Sequence, residues 1–473
     1  MSNYSDDMGS QFNIGKQRGS CGDYNANNTW YFNGTNGCLN NNNRYNTNFR
    51  SRPVFDYGLY DNANLDNYPI PLSEWLMIAV ESVKGKSSKP CYVFFVLHRI
   101  EELVRLAHQV GNCEVLPTES TAHIITVPRV REIVCATAPK RVMQTFYIRS
   151  LQPYLERYLY HRDSYSCRRG KGSLKAVQQL QEYIFEQSNG YTEDLWLAKV
   201  DIKSFFMSLD CFMVCRTMED FIRKEMADHP HKELLLYLTR ITYLAATQDH
   251  LRDMAHPAER AMLEPSKALR NHPYYQGVPI GDWTSQTAGL VVTTFALRYL
   301  ESLGYVFVHY TDDTTILVRD KEKWLEDIDR LDRFHKGIGL TLHPDKRYLQ
   351  HHSKGVEMVG YKVRFNRILP SDRIAHNLKW YIERTVRRAE RSTGWLLTHS
   401  GNIQSTLNSY LGFLKWCNAY RLRQQVCDRV RGSVIGMVLE SAEDNHKVTI
   451  RRGYAKTDYY KREYKELKHM LAA

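Results

Sequence analysis

The chain has 473 residues and a net charge of +12, from 64 Lys and Arg against 52 Asp and Glu. This length suffices for about three domains or one large multi-lobed enzyme, which excludes a small disulfide-stabilised scaffold, and the basic balance favours an anionic partner such as nucleic acid. The ten cysteines form no CxxC pair, and no segment approaches the roughly 18 to 20 apolar residues of a membrane span. We therefore expect a soluble cytoplasmic protein with reduced thiols and no membrane partner.

Residues 1–65 form a leader in which 11 of the 27 residues at positions 24–50 are Asn. The segment has little aliphatic side chain to bury, so we expect it to be loop-rich or disordered. Its aromatic and arginine residues suit stacking on single-stranded bases.

Residues 66–195 are predicted to form a first lobe of mixed structure. Helical apolar spacing covers residues 72–110, and the stretches AHIITV and REIVCAT alternate as strands do. Helices follow between residues 142 and 190, interrupted by the polar stretch SYSCRRGKGS.

Residues 196–370 are predicted to be rich in short strands, with a mainly helical insert at about 212–270 and an apolar helix at 287–303. The stretch DLWLAKVDI is typical of a buried strand, and it ends in Asp201. A carboxylate at that place is either a helix N-cap or a metal ligand.

The stretch YTDD lies between two runs with strand alternation, so strand, tight turn and strand are predicted, with Asp312 and Asp313 at the tip. One interpretation is a solvated turn, where Asp is common. The other uses Asp201 as well, because carboxylates from two strands can hold two Mg²⁺ ions for in-line phosphoryl transfer. Such hard cations prefer oxygen ligands over His or Cys.

Other residues near these acids in the sequence also suit ligand contacts or catalysis. In VPIGDWTSQ, Gly281 allows close backbone approach to a ligand, and Ser285 and Gln286 offer polar contacts at a helix start. Lys346 in LHPDK suits protonation of a leaving group, and Gly360 lies on a predicted hairpin.

The last part of the chain is helical and basic. Residues 371–440 have helical spacing with arginines on one side, and residues 441–473 form a basic tail. A solvated charged face is one interpretation of this pattern, and a surface for a nucleic-acid backbone is the other.

The ordered stretches VDIKSFF, VPIGDWTSQ, YTDD, LHPDK and MVGYKV resemble the palm motifs A to E of the reverse transcriptases, and the resemblance covers roughly residues 90–435. REIVCATAPKRVMQ and SYSCRRGKG resemble finger motifs of the same family. The resemblance implies an α+β right-hand polymerase: fingers at 66–195, a palm at 196–370 with an antiparallel sheet packed on helices, and a helical thumb at 371–440.

The resemblance also implies a role for each matching residue. Asp201, Asp312 and the Ile202 carbonyl would bind two Mg²⁺ ions, for which Mn²⁺ can substitute, while Asp313 supports them and Lys346 is catalytic. The implied nucleotide-binding residues, in which the aromatic Phe206 disfavours ribonucleotides, are Arg131, Lys140, Arg141, Phe206, Gly281, Ser285 and Gln286. The implied primer and template contacts are Tyr310, Thr311, Gly360, Tyr361, Arg384 and Arg388.

Motif B ends in Ser285-Gln286, which is similar to the reverse transcriptases of diversity-generating retroelements and their bacterial relatives. The leader resembles the Asn-rich end of such an element's variable protein or a translated template repeat; an ordinary low-complexity tail is the alternative.

The expected function is an RNA-directed DNA polymerase of a retroelement. Alternatives are an antiphage-defence reverse transcriptase with a non-coding RNA, an RNA polymerase, and a non-catalytic RNA-binding protein. Expected partners are a template RNA, a DNA or RNA primer, dNTPs, and an accessory protein or a second copy of the chain.

Overall fold

A computed structural model describes residues 28–33, 38–43, 70–83, 95, 98–115, 119–127, 129–245, 247–451 and 454. They form a mixture of helices and strands, which confirms the predicted α+β class. The helices, α1 to α14 in chain order, are Leu72–Val83, Arg99–Gly111, Ala138–Tyr154, Ser173–Gln187, Phe205–Ser208, Cys211–Glu225, Lys232–Leu244, Pro257–Ala261, Trp283–Ser302, Lys321–Gly337, Asp372–Arg391, Thr393–Leu414, Tyr420–Arg431 and Ile435–Val438. The strands, β1 to β14, are Asn28–Asn33, Cys38–Asn43, Ser120–Ile125, Arg131–Ala136, Trp196–Asp201, Leu251–Asp253, Val306–Tyr310, Asp313–Val318, Tyr348–His351, Val356–Met358, Tyr361–Arg364, Arg367–Pro370, Leu439–Ser441 and Val448–Ile450.

The described residues divide into two compact units. One comprises those within Met1–Leu159 and Phe206–Val291, and the other those within Tyr160–Phe205 and Val292–Ala473. Residues 160–195, which the sequence assigned to the fingers, thus belong to the same unit as the YTDD hairpin. The boundaries of fingers, palm and thumb stay a prediction.

The first unit is built around a three-stranded sheet of order β4-β3-β6. β3 and β4 are an antiparallel pair, and β6 adds to β3 in parallel. Glu132 on β4 is buried, and its carboxylate accepts hydrogen bonds from the Arg260 side chain at 2.6 Å and the Leu269 backbone at 2.8 Å. This buried charge is compensated, and it fastens the 257–271 segment to the sheet.

The second unit contains a four-stranded antiparallel sheet of order β7-β8-β5-β9. A separate antiparallel sheet of order β10-β11-β12 follows in the chain. Apolar residues of α4 (Ser173–Gln187), of both sheets and of α11 to α13 pack into one core cluster. β7 and β8 are covered on both faces, because consecutive residues of each strand are buried, so the alternation in the sequence does not correspond to one buried and one exposed face.

The helices near the C-terminus agree with the predicted helical region. Ser371 caps α11 by accepting from the Ile374 backbone at 3.4 Å, and Ser392 caps α12 by accepting from the Trp395 backbone at 3.2 Å. Since Ser392 also ends α11, one serine separates two long helices that share a buried apolar face.

The leader was predicted to be loop-rich or disordered, and the end of the chain to be a basic tail. In the leader the structure describes an antiparallel pair, β1 with β2, that the composition did not indicate; the rest of residues 1–65 lies outside the described residues. Most of the basic tail, 441–473, also lies outside them after Ile450, apart from Arg451 and Tyr454. Within the described ranges, no helix is long and apolar enough to cross a membrane.

Candidate active site

The central feature of the site is the pairing of β5 with β8, which places Asp201 directly opposite Asp313. Asp312 is the residue before β8 and belongs to the tight turn from β7. Thr311 in that turn has a positive φ of 61°, and its backbone N–H donates to Ser166 Oγ at 3.1 Å. The predicted strand, turn and strand are therefore present, and the hydrogen bond to Ser166 supports the turn.

Asp312 and Asp313 lie in a site that opposes their ionisation. Burial raises the pKa of Asp312 to about 6, and the charges of Asp201 and Asp313 act in the same direction. Burial also raises the pKa of Asp313, while the Lys199 ammonium opposes the rise. The Oδ1 atom of Asp313 is buried and has no hydrogen-bond partner. Grouped carboxylates with an unpartnered oxygen favour a bound cation.

Two lysines neutralise part of this charge. Lys346 Nζ lies 2.5 Å from Asp201 Oδ2, and Lys199 Nζ lies 2.7 Å from Asp313 Oδ2. Lys346 was predicted, and it lies in a short turn after α10. Lys199 was missed, although its place two residues before Asp201 puts both side chains on one face of β5.

Oxygen ligands and negative charge suit Mg²⁺ or Mn²⁺. In the part of the chain that the structure describes, no three His, Cys, Asp or Glu side chains form a ready metal-binding group. The residues present nevertheless fit such an ion, because Asp313 Oδ1 is buried without a hydrogen-bond partner and Asp312, whose pKa burial raises, lies beside two other carboxylates. Ile202, the predicted carbonyl ligand, donates its N–H to the Asp312 carbonyl at 3.2 Å.

The predicted motif B residues lie in the first unit. The Val134 N–H donates to the Ile280 carbonyl at 2.7 Å, so the loop packs on β4. Gly281 has a φ of 127°, and a Cβ there would overlap the Val134 carbonyl oxygen. The Arg141 guanidinium donates to the Gly281 carbonyl at 3.2 Å. The packing of this loop on β4 therefore requires glycine at position 281, whether or not a ligand binds.

Behind the loop lies a cavity of about 200 Å³ that both Lys140 and Ser285 line. Lys140 Nζ donates to Ser120 Oγ at 3.0 Å and lies 3.8 Å from the buried Asp282 carboxylate. Ser285 is buried, while Arg131 and Gln286 are exposed.

Phe206 is half-buried on the short helix α5, and its carbonyl accepts from the Val278 backbone at 2.9 Å. This bond ties the predicted sugar-contacting residue to the segment that leads into motif B.

The predicted primer contacts on the MVGYKV stretch differ in exposure. Val359 and Gly360 both have positive φ, 46° and 88°, and form the two-residue turn between β10 and β11. A Cβ on Gly360 would lie 2.7 Å from Ile374 Cδ1. Tyr361 is buried, with its ring stacked on Phe413 at 4.2 Å. The Tyr361 ring is therefore covered, while Val359 and Gly360 in the turn are half-buried.

The other predicted primer or template residues lie beside the YTDD turn or on α11. Tyr310 is half-buried at the end of β7. The Arg384 guanidinium lies over the Trp380 ring at 4.9 Å, and Arg388 lies over the Trp395 ring at 4.6 Å. Trp380 is 54% exposed, so cations alternate with aromatic rings on this helix surface.

Residues 163–166, within the polar stretch SYSCRRGKGS and just before it, support the hairpin. Tyr165 N–H donates to the His309 carbonyl at 3.0 Å, and His309 N–H donates to the Asp163 carbonyl at 2.9 Å. Sequence reasoning assigned this stretch to the fingers, because contacts so distant along the chain leave no periodic signal.

Residues 127–363, half of the chain, match the family described as reverse transcriptase (RNA-dependent DNA polymerase). Among solved structures, the chain is similar to telomerase from Candida albicans in complex with a fragment of telomeric RNA, with TM-score 0.38, 10% identity, and 72% of this chain and 66% of that chain covered. It is also similar to apo telomerase from Candida tropicalis, truncated from its C-terminal domain, with TM-score 0.38, 11% identity, and 58% and 60% covered. The chain thus spans 66% and 60% of the lengths of these two structures. No curated protein sequence matches it. The match over residues 127–363 shows that the chain belongs to the reverse transcriptase (RNA-dependent DNA polymerase) family.

Proposed function

We propose that the protein is an RNA-directed DNA polymerase that extends a DNA or RNA primer with dNTPs on a partner RNA. The observation that carries this proposal is the convergence of Asp201, Asp312 and Asp313 at adjacent strand ends, where the pKa of Asp312 is raised to about 6. A solvated turn would keep ordinary carboxyl pKa values, so the arrangement favours a cation-binding site.

In this proposal Asp201, Asp312 and the Ile202 carbonyl hold two Mg²⁺ ions, and Mn²⁺ can substitute. When bound, such a pair activates the primer 3′-hydroxyl and neutralises the leaving pyrophosphate. Asp313 supports the ligands from the opposite strand, where it faces Asp201.

Lys346 is the proposed proton donor to pyrophosphate. Its ammonium already lies 2.5 Å from Asp201 and is 47% exposed, so it is both next to the carboxylates and accessible. A lysine ammonium carries the proton that a general acid transfers.

The nucleotide contacts are proposed in two groups. Arg131, Lys140 and Arg141 provide positive charge for the triphosphate. The Gly281 loop, together with Ser285 and Gln286, provides backbone and polar contacts, and Phe206 blocks the ribose 2′-hydroxyl.

The primer and template are proposed to contact Tyr310, Thr311, Gly360 and Tyr361 near the two hairpins, and Arg384 and Arg388 on α11. Guanidinium groups that lie over tryptophan rings, one of them the exposed Trp380, suit a strand with phosphates and unpaired bases. For Tyr361, whose ring is buried, the contact would pass through its backbone.

The proposed setting is a diversity-generating retroelement, supported by the Ser285-Gln286 form of motif B and the Asn-rich leader. An antiphage-defence enzyme with a structured non-coding RNA is the second candidate, because defence-associated bacterial enzymes share these motifs. A bacterial source, cytoplasmic location, and an accessory protein or second copy belong to the same proposal. A non-catalytic RNA-binding protein is disfavoured because all the acids are retained.

The test is RNA-templated primer extension by the purified chain, followed by sequencing of the nucleic acid that co-purifies with it. A template repeat next to a variable gene would favour the retroelement, and a structured non-coding RNA without such a gene would favour defence. Absence of any dNTP incorporation on primed RNA with Mg²⁺ or Mn²⁺ would reject the polymerase.

A further inference from the structure

Lys199 is the one described lysine on β5, and its ammonium makes two short contacts. Nζ lies 2.7 Å from Asp313 Oδ2 and donates to the Glu357 carbonyl at 2.6 Å. Its side chain is only 17% exposed and that of Asp313 is 19% exposed. Ordering a long, flexible side chain in one partly buried geometry costs conformational entropy. The two contacts offset this cost and fix the Lys199 side chain in place.

The first contact controls Asp313. The Oδ2 atom is bound by Lys199, whereas Oδ1 is buried with no hydrogen-bond partner. The orientation of this carboxylate therefore depends on Lys199. Asp313 in turn lies opposite Asp201, so its rotation would change the field at the neighbouring acids.

The second contact reaches a different sheet. Glu357 is the central residue of β10, whose hairpin with β11 contains the Val359–Gly360 turn. Lys199 and Glu357 are 158 residues apart in the chain, and one ammonium joins the carboxylate group to this hairpin. Tyr348 on β9 is the strand neighbour of Lys199. Burial raises the pKa of Tyr348, and the charges of Asp313 and Glu357 raise it further, so Tyr348 lies near both partners of Lys199.

We propose that Lys199 is a positioning residue of the polymerase site: it orients Asp313 and fixes the β10–β11 hairpin relative to the carboxylates, so that a primer end on the hairpin is held at the site of reaction. This inference rests on the proposed function. It assigns to Lys199 no contact with substrate or metal.

A purely structural ion pair is the alternative, and the chain offers a matched control. Lys323 Nζ lies 2.7 Å from the buried Asp327 carboxylate and donates to the Leu303 carbonyl at 3.0 Å. It thus makes the same two kinds of bond in the same unit, away from the acids. Lys323→Met therefore controls for the loss of a lysine–carboxylate pair, although Asp327 also keeps Arg330 and Tyr305 as partners.

The experiment measures single-turnover primer extension, thermal unfolding, and the fluorescence of a 2-aminopurine at the primer 3′ end without metal. The variants are Lys199→Met, Asp313→Asn, their double mutant and Lys323→Met; Lys199→Gln replaces Lys199→Met if that variant does not fold. We expect Lys199→Met to slow extension by about 10- to 100-fold and to raise the metal-free fluorescence by unstacking the primer end. Lys323→Met should leave both other measurements unchanged, whatever its effect on the unfolding temperature. Lys199→Arg should restore most of the rate.

The double-mutant cycle gives the decisive result. Since Lys199 acts on the hairpin as well as on Asp313, its loss should slow Asp313→Asn by a smaller factor than it slows the wild type. Multiplying effects, a wild-type rate in Lys199→Met, or equal slowing in Lys323→Met would each overturn the inference. These outcomes require an active wild-type chain; a wild type without extension would instead reject the proposed function.

Discussion

Asp201 and Asp313 lie directly opposite each other on the antiparallel strands β5 and β8. Like charges at this spacing destabilise a sheet, and here each is offset by its own lysine, Lys346 for Asp201 and Lys199 for Asp313. A pairing that is unfavourable for folding and compensated by cations is typical of a site selected for chemistry.

The raised pKa of Asp312 predicts a pH dependence. A metal ligand must be ionised, so Mn²⁺ affinity should fall as the pH decreases through about 6. Calorimetric titration of the purified chain between about pH 5 and 8 would measure it. An affinity that is flat across this range would contradict a protonated Asp312 at low pH.

The raised pKa of Asp312 also predicts how the stability of the folded chain depends on pH. Because the folded-state pKa is raised, the folded chain binds a proton more tightly than the unfolded chain, and stability falls as the pH rises from about 4 to 6. Asp312→Asn should therefore stabilise the metal-free protein at pH 8 by about 1 to 3 kcal/mol. Thermal unfolding measures this, and Asp329→Asn, exposed on α10, serves as the control.

Phe206→Ala should raise ribonucleotide incorporation relative to deoxynucleotide incorporation, because removal of the ring opens space for a 2′-hydroxyl. Single-turnover incorporation of each nucleotide measures the ratio. Phe212→Ala, which removes a 53% exposed ring, is the matched control and should leave it unchanged. Unaltered sugar discrimination in Phe206→Ala would make this residue an ordinary packing aromatic.

The arginines of α11 should contribute to the salt dependence of nucleic-acid binding. Log affinity for a single strand should fall against log salt with a slope of roughly 0.7 per neutralised phosphate. Alanine at Arg384, Arg387, Arg388 and Arg391 should flatten this slope in an anisotropy titration. Alanine at Arg223 and Arg240, which both pair with Glu219, should not change it. An identical slope in the α11 variant would assign these arginines to solvent.

Deletion of residues 1–60 should spare extension on a generic primed template and weaken use of the native RNA or assembly, since this segment precedes every polymerase motif. Both assays need to be run side by side. Loss of generic synthesis would place the leader in the catalytic fold, and no change in either would make it a passive tail.

Much of the fold could be predicted from the sequence because strand alternation and helical spacing are local. The YTDD hairpin, the strand ending in Asp201 and the helices of residues 372–438 were predicted this way, and the family match confirms the right-hand polymerase fold. The α+β class followed from the same patterns.

The rest depended on contacts between distant residues. The bond from Lys199 to Glu357 has no periodic signature, and the support of Thr311 by Ser166 is equally non-local. Gly281 was predicted from its freedom to approach a ligand, whereas the structure uses that freedom to pack against Val134. Tyr361 was predicted as a primer or template contact, and the burial of its ring on Phe413 was not foreseen, because sequence position alone does not show which face of a hairpin is covered.

The most direct test of the polymerase proposal is primer extension by Asp312→Asn on an RNA template with Mg²⁺. The account predicts at least about a thousandfold loss, or about 4 kcal/mol of transition-state stabilisation, because a metal-binding charge is removed. The variant should stay folded and keep its affinity for RNA, which separates lost chemistry from lost structure. Near-wild-type extension by Asp312→Asn would contradict the account.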